Sequence, residues 1–208
     1  FKKKKNIIVI NIGGISNFTF LNGKKIYLAS DIGPGNTLID EFCYKNFNKI
    51  YDFNGNLAKK GKIKFELIDL WLKNKIFFRK FPTSFDIQDF NFINSRHYKT
   101  YSTYDILRTL TFFSAKLISM IKMSINFKID SWVFSGGGVN NSLLMSDIKK
   151  LLINDKISIS NSLGYDSSFV ESAAFAYISI RTLKKLPSAF PKTTGCSKQN
   201  ICGSIHIP

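Results

Sequence analysis

The stretch Tyr27–Phe42, "YLASDIGPGNTLIDEF", decides how this chain is read. It reads as a strand that ends on Asp31, a rigid bare loop of Gly33, Pro34, Gly35 and Asn36, and a helix that starts near Thr37. Leu38, Ile39, Phe42 and Cys43 fall on one face of that helix. Such a turn has two readings. Glycine after a strand often marks only a tight turn with positive φ. Alternatively, backbone without Cβ lets a phosphate approach several N–H donors, and the following helix adds its positive end. Asp31 divides the same way. It is either a turn-starting Asp bonded to its own backbone or a carboxylate that holds Mg²⁺ beside a phosphate cradle.

The flanking sequence supplies the sheet. "NIIVINIGG" (residues 6–14) is a β-branched run that stops at Gly13 and Gly14, and "ISNFTFL" follows with partial alternation. Asn22-Gly23 is a two-residue hairpin signal. "KKIYLAS" gives a third strand with Asp31 at its end. The chain is therefore expected to open with three antiparallel strands. Further on, the pattern predicts a helix near Lys64–Lys73 and a weakly patterned region from Phe77 to Tyr101, where Pro82 blocks a continuous helix. Residues 45–102 read as a helical and loop insertion that faces substrate. A long helix covers about Thr103 to Ile125, with Leu107, Leu110, Leu117, Ile118 and Ile121 on its apolar side. "IDSWVFS" is a buried strand ended by Gly136, Gly137 and Gly138. "NNSLLMSDIKKLLI" is a helix, "ISIS" a short strand and Glu171–Lys185 a last helix before an irregular tail. Strands alternating with helices after the opening meander predict an α/β fold with a mixed sheet. Ligands of such sheets bind beyond the strand ends.

Composition narrows the class. A chain of 208 residues that is 44% hydrophobic can bury a core, and its apolar runs are too short to span a membrane. The formal net charge of +16 suits a nucleic-acid binder. Twenty Phe with abundant Ile, Asn and Lys point instead to AT-biased coding. Apart from Lys2–Lys5 and "LAKKGKIK", the basic residues are dispersed, which favours the second explanation. No specific nucleic acid is expected. Cys43, Cys196 and Cys202 form neither a disulfide framework nor a metal pattern, and free thiols suit a reducing cytoplasm. Phe1 at the start suggests a piece of a longer or processed protein.

"NIGGISN", "DIGPGNTLIDEF", "YDFNGNLAKKGK", "FSGGGVNNSLLM" and "VESAAFAYISIRTL" with the tail "LPSAFPKTTGCSKQNICGSI" occur in an order that resembles the anhydro-N-acetylmuramic acid kinases. The resemblance implies a ribonuclease-H-like lobe of the actin/hexokinase/heat-shock-ATPase fold. It implies ATP and Mg²⁺ as cofactors and 1,6-anhydro-N-acetylmuramic acid as the sugar substrate. That sugar is phosphorylated with hydrolytic ring opening to N-acetylmuramic acid 6-phosphate. A missing amino-terminal lobe and a homodimer are implied as partners. Residue by residue, Gly13, Gly14, Asp31, Gly33, Pro34 and Gly35 correspond to a phosphate site, with Asp31 on the metal. Gly136, Gly137, Gly138 and Asn141 correspond to the adenosine side, and Glu171 and Ser84 to the sugar side.

Three departures matter. The family's first phosphate loop and its water-activating aspartate have no counterpart here, so no catalytic residue is assigned. The family's Lys-Ser-Thr-Gly-Arg-Glu run stands as "TSFDIQ" (residues 83–88), which keeps only Ser84. Ser135 replaces a common Cys. Besides an active kinase lobe, the sequence leaves room for a decayed, inactive remnant and for a basic nucleic-acid module.

Overall fold

β1 (Asn6–Ile12) and β2 (Ile15–Asn22) form a hairpin closed by Gly13 and Gly14, in register from Asn6 opposite Asn22 to Ile12 opposite Ser16. The structure is a computed structural model that describes residues 5–23, 25–94, 96–164 and 169–206. β1 lies in the middle of the sheet, which is why it is an almost unbroken Ile/Val run. β2 alternates instead, burying Ser16, Phe18 and Phe20. β3 (Lys25–Pro34) pairs antiparallel with β2, while β4 (Ser131–Ser135) and β5 (Ile157–Ile159) add in parallel on the far side of β1. The order β3-β2-β1-β4-β5 makes this the mixed five-stranded sheet of a ribonuclease-H-like lobe.

The sequence pattern ends the third strand at Asp31, but β3 continues to Pro34. A bulge between Ser16 and Asn17 lets pairing resume, with Gly33 opposite Ser16 and Pro34 opposite Ile15. The outer edge of β3 is covered from a distance. Asp31 N–H donates to Thr83 O at 3.0 Å, and Thr83 N–H donates to Ser30 Oγ at 2.8 Å. Residues around Thr83 thus take up edge donors that would otherwise invite another chain.

Helices cover the sheet as the periodicity requires. α1 (Thr37–Phe47) buries Leu38, Ile39, Phe42 and Cys43. α2 (Phe65–Leu72) buries Leu67, Ile68 and Trp71. α3 (Thr103–Ser124) starts where Ser102 Oγ accepts Asp105 N–H at 3.1 Å, and its buried stripe contains all five apolar positions expected of it. α4 (Ser142–Leu151) packs on α3. Leu67, Ile68, Trp71, Phe90 and Ile93, from the region read as an insertion, join the same core as β1, β2 and α3.

α5 (Val170–Leu183) behaves differently. Phe175, Tyr177, Ile180 and Leu183 are all more than half exposed. The tail contributes a short α6 (Pro191–Thr194) against β3, with Lys192 Nζ 4.6 Å from the Tyr27 ring centre. Among the described residues no helix is long and apolar enough to cross a membrane.

Candidate functional site

The Gly13–Gly14 turn and the start of α1 are tied together by main chain. Gly35, Asn36 and Thr37 donate their N–H groups to Gly14 O, Gly13 O and Gly14 O at 2.8, 2.9 and 3.2 Å. The expected cradle of open amides at this helix start is therefore corrected: these three donors are already engaged. Gly33, Pro34 and Gly35 are buried beneath the turn, whereas Gly14 is exposed. Asn36 is the member of the motif that reaches a cavity.

That cavity has a volume of about 560 Å³ and is lined by Asn36, Asp40, Tyr51, Asp52, Phe53, Asn54, Gly137, Asn140 and Asn141. Three elements meet there: α1, the turn at residues 51–54, and the turn between β4 and α4. Asn36 and Gly137 line this one hollow, and the buried Gly138 packs behind them, where an added Cβ would come within 3.2 Å of Asn36 Nδ2.

The three glycines after β4 have different reasons for being glycine. Gly136 sits at φ +85°, where a Cβ would be 2.6 Å from Ile12 O. Gly138 has no room beside the Ile12 side chain. Of the three, only Gly137 has nothing among the described residues within 4 Å of its added Cβ, and it lines the cavity. Asn141 is at once cavity wall and helix cap, because its Oδ1 accepts Leu144 N–H at 3.1 Å.

The cavity's charge comes from two aspartates that motif reading passed over. Asp52 is almost fully buried, and its two oxygens accept Leu57 N–H at 2.8 Å and Ala58 N–H at 2.9 Å. Among the described residues Asp40 has no such support. Burial, and next the nearby Asp52 charge, push its carboxyl up to about 6. Burial, then the charges of Asp52 and Asp40, likewise push the Cys43 thiol up to about 12, so it is inert at neutral pH. The available signal was helical spacing, since Asp40 lies one turn after Asn36, on the same face.

A stability test follows from Asp40. Unfolded, it titrates near 3.8; folded, near 6. Between those values the native chain binds the proton more tightly, so stability falls as pH rises through the window. Asp40→Asn should match the parent near about pH 4 and melt higher at about pH 7. Melting curves at both pH values check this; a constant gap would refute it.

The remaining sequence-predicted residues lie elsewhere. Asp31 does not line the cavity. Its Oδ2 accepts Phe85 N–H at 2.9 Å, and burial outweighs that bond to raise its pKa. Ser84 is exposed beside the β3 edge. Glu171 falls in the first turn of α5, and its side chain lies outside the described residues.

The sequence matches the model of the anhydro-N-acetylmuramic acid kinase family over residues 1–208. The chain belongs to that family. It is 34% identical over 200 residues to the anhydro-N-acetylmuramic acid kinase of Rhodopseudomonas palustris (strain ATCC BAA-98 / CGA009), covering 96% of this chain and 54% of the relative. To the Clostridioides difficile (strain 630) protein of the same name it is 34% identical over 218 residues, covering 98% and 56%. The chain thus spans about half the length of the curated relatives it matches. Among solved structures, component A of the Acidaminococcus fermentans (R)-2-hydroxyglutaryl-CoA dehydratase aligns at TM-score 0.46 and 15% identity, over 73% of this chain and 54% of that one. That likeness is too loose to bear on the site.

For an anhydro-N-acetylmuramic acid kinase lobe, a resident metal site would be expected near the phosphates. Asp31 lies outside the cavity with its Oδ2 accepting Phe85 N–H, and each Asp52 oxygen accepts a main-chain N–H. Among the described residues no three His, Cys, Asp or Glu side chains group to hold a metal. The donor set fits Mg²⁺ only as a companion of a nucleotide's own phosphates.

Proposed function

We propose that this chain is the ATP-binding lobe of a kinase that phosphorylates 1,6-anhydro-N-acetylmuramic acid and opens its anhydro ring with water. The product is N-acetylmuramic acid 6-phosphate, as in cell-wall recycling in the cytoplasm. The observation that carries this reading is Gly137, a bare backbone position on a 560 Å³ cavity beside the glycine turns of β1, β3 and β4. Phosphoryl transfer asks a protein mainly for positioning and charge neutralisation. The chain's residues contribute the positioning. The Gly13–Gly14 turn, held by Gly35–Thr37, gives a fixed floor, and the cavity takes the nucleoside end. The net charge of +16 favours approach of a polyanionic ligand.

The rest of the reaction belongs to the part of the relatives' length that this chain does not span. The family's water-activating aspartate has no counterpart here, so the 208 residues alone should give no sugar phosphate in a coupled assay, even with ATP bound. Turnover by this chain alone would overturn that assignment. The apolar side chains that α5 leaves exposed suit an apolar neighbour of that kind. A homodimer rests on the family resemblance.

The direct test is calorimetry with Mg-ATP on the chain and on Gly137→Val. No described residue lies within 4 Å of the Gly137 Cβ position, so the variant should melt like the parent while its ATP affinity falls about tenfold or more, roughly 1.4 kcal/mol. A parent chain that binds no Mg-ATP would sink the reading.

A further inference from the structure

Resting on that nucleotide reading, we infer that Asp40 is the specificity residue of the cavity and takes the ribose diol of a ribonucleoside triphosphate as hydrogen-bond donor. Geometry orders the ligand. The fixed Gly13–Gly14 turn lies against Gly35 and Asn36. Asn36 and Asp40 both line the cavity, and Asp40 N–H donates to Asn36 O at 2.8 Å, so the two residues are one helical turn apart. Four residues rise about 6 Å, on the scale of the step from a phosphate group to a sugar ring. The same cavity is lined by Tyr51 and Phe53, 54% and 65% exposed, with ring centres 6.5 Å apart. Exposed aromatic faces on a cavity wall suit a purine base. Phosphates over the glycine turn, ribose at Asp40 and base at Tyr51–Phe53 is the sequence a nucleotide presents.

Three of the other polar lining residues are already engaged. Asp52 has both oxygens bound to main-chain N–H groups. Asn141 Oδ1 caps α4. Asn36 Nδ2 leans on Ile12 O at 3.5 Å. The Asp40 carboxylate accepts no hydrogen bond among the described residues, although it is half-buried beside a second carboxylate. An arrangement that works against folding and lines a binding cavity is what a site kept for a ligand looks like. A vicinal diol offers two donors, which matches an acceptor-only carboxylate.

The test compares Mg-ATP with Mg-2′,3′-dideoxy-ATP by calorimetry on the chain and on Asp40→Ala, both checked for folding by circular dichroism. The parent should bind ATP about tenfold or more tightly than the dideoxy analogue, the scale of hydrogen bonds to a charged acceptor. Asp40→Ala should bind both alike, at the level the parent shows for the analogue. If the parent does not distinguish the two nucleotides, the inference is overturned and the kinase reading stands. The same holds if Asp40→Ala weakens both by one common factor. If the parent binds neither nucleotide, both readings fall together.

Discussion

Gly35→Ala is expected to lower the melting temperature by roughly 6–12 °C, corresponding to about 3 kcal/mol in a chain of this size. It should also abolish nucleotide binding. The cause is steric and local. A Cβ on Gly35 would collide with Gly13 O and stand 2.6 Å from Ser16 Oγ. Gly13 O has little freedom to retreat, because it accepts Asn36 N–H at 2.9 Å. Relief therefore requires the β1–β2 turn and the start of α1 to separate, which removes the floor of the site. Ser16→Ala should move stability the other way. Ser16 is 1% exposed, and its hydroxyl has no partner among the described residues. An unpaired buried hydroxyl costs on the order of 1–3 kcal/mol. Combining the two substitutions should not rescue Gly35→Ala, since the clash with Gly13 O remains. Urea titrations of the three variants check this, and a double variant restored to parental stability would mean that Ser16, not the main chain, is the obstacle.

Much of the sheet was legible because its signals are local. β-branched runs, the Asn22-Gly23 turn and the 3.6-residue spacing of α3 each specify an element from neighbouring residues. The true end of β3 was not legible. It depends on a bulge at Ser16/Asn17 and on Thr83, more than fifty residues away, covering the edge. The same long-range contact explains Asp31, which at a supposed strand end resembles a metal ligand but in the fold is tied to Phe85. Sequence alone could not separate Gly137, open to the cavity, from Gly136 and Gly138, confined by β1. Asp40 and Asp52 escaped notice because their significance arises only when the turn at 51–54 folds over α1. α5 is the opposite case. Its sequence predicts the helix, but the exposure of Phe175, Tyr177, Ile180 and Leu183 is visible only in the fold.

The other large effect lies behind the cavity wall. Arg108 on α3 grips Asp147 on α4 through two bonds, Nη1 to Oδ2 at 2.6 Å and Nη2 to Oδ1 at 2.9 Å, with side-chain exposures of 12% and 2%. Asp147→Ala should destabilise by about 3–5 kcal/mol, because it strands a guanidinium that water reaches poorly. Removing both charges is a different experiment. Arg108→Met with Asp147→Leu should recover most of the loss, since an apolar pair of similar volume avoids the desolvation penalty, and Arg108 already lies 5.8 Å from the Phe112 ring centre. A double-mutant cycle in urea measures the coupling directly. Screening offers a second handle: a pair this buried should lose little strength between low and high salt. The consequence extends to ligand binding because α4 begins at Asn141, whose cap fixes the turn carrying Gly137. Loosening α4 from α3 should therefore weaken Mg-ATP binding in Asp147→Ala even where the variant remains folded, and restore it in the double variant. If Asp147→Ala costs less than about 1 kcal/mol, the pair is solvated in the manner of a surface ion pair, and α4 must be held by its buried apolar residues Leu144, Met145 and Ile148 instead.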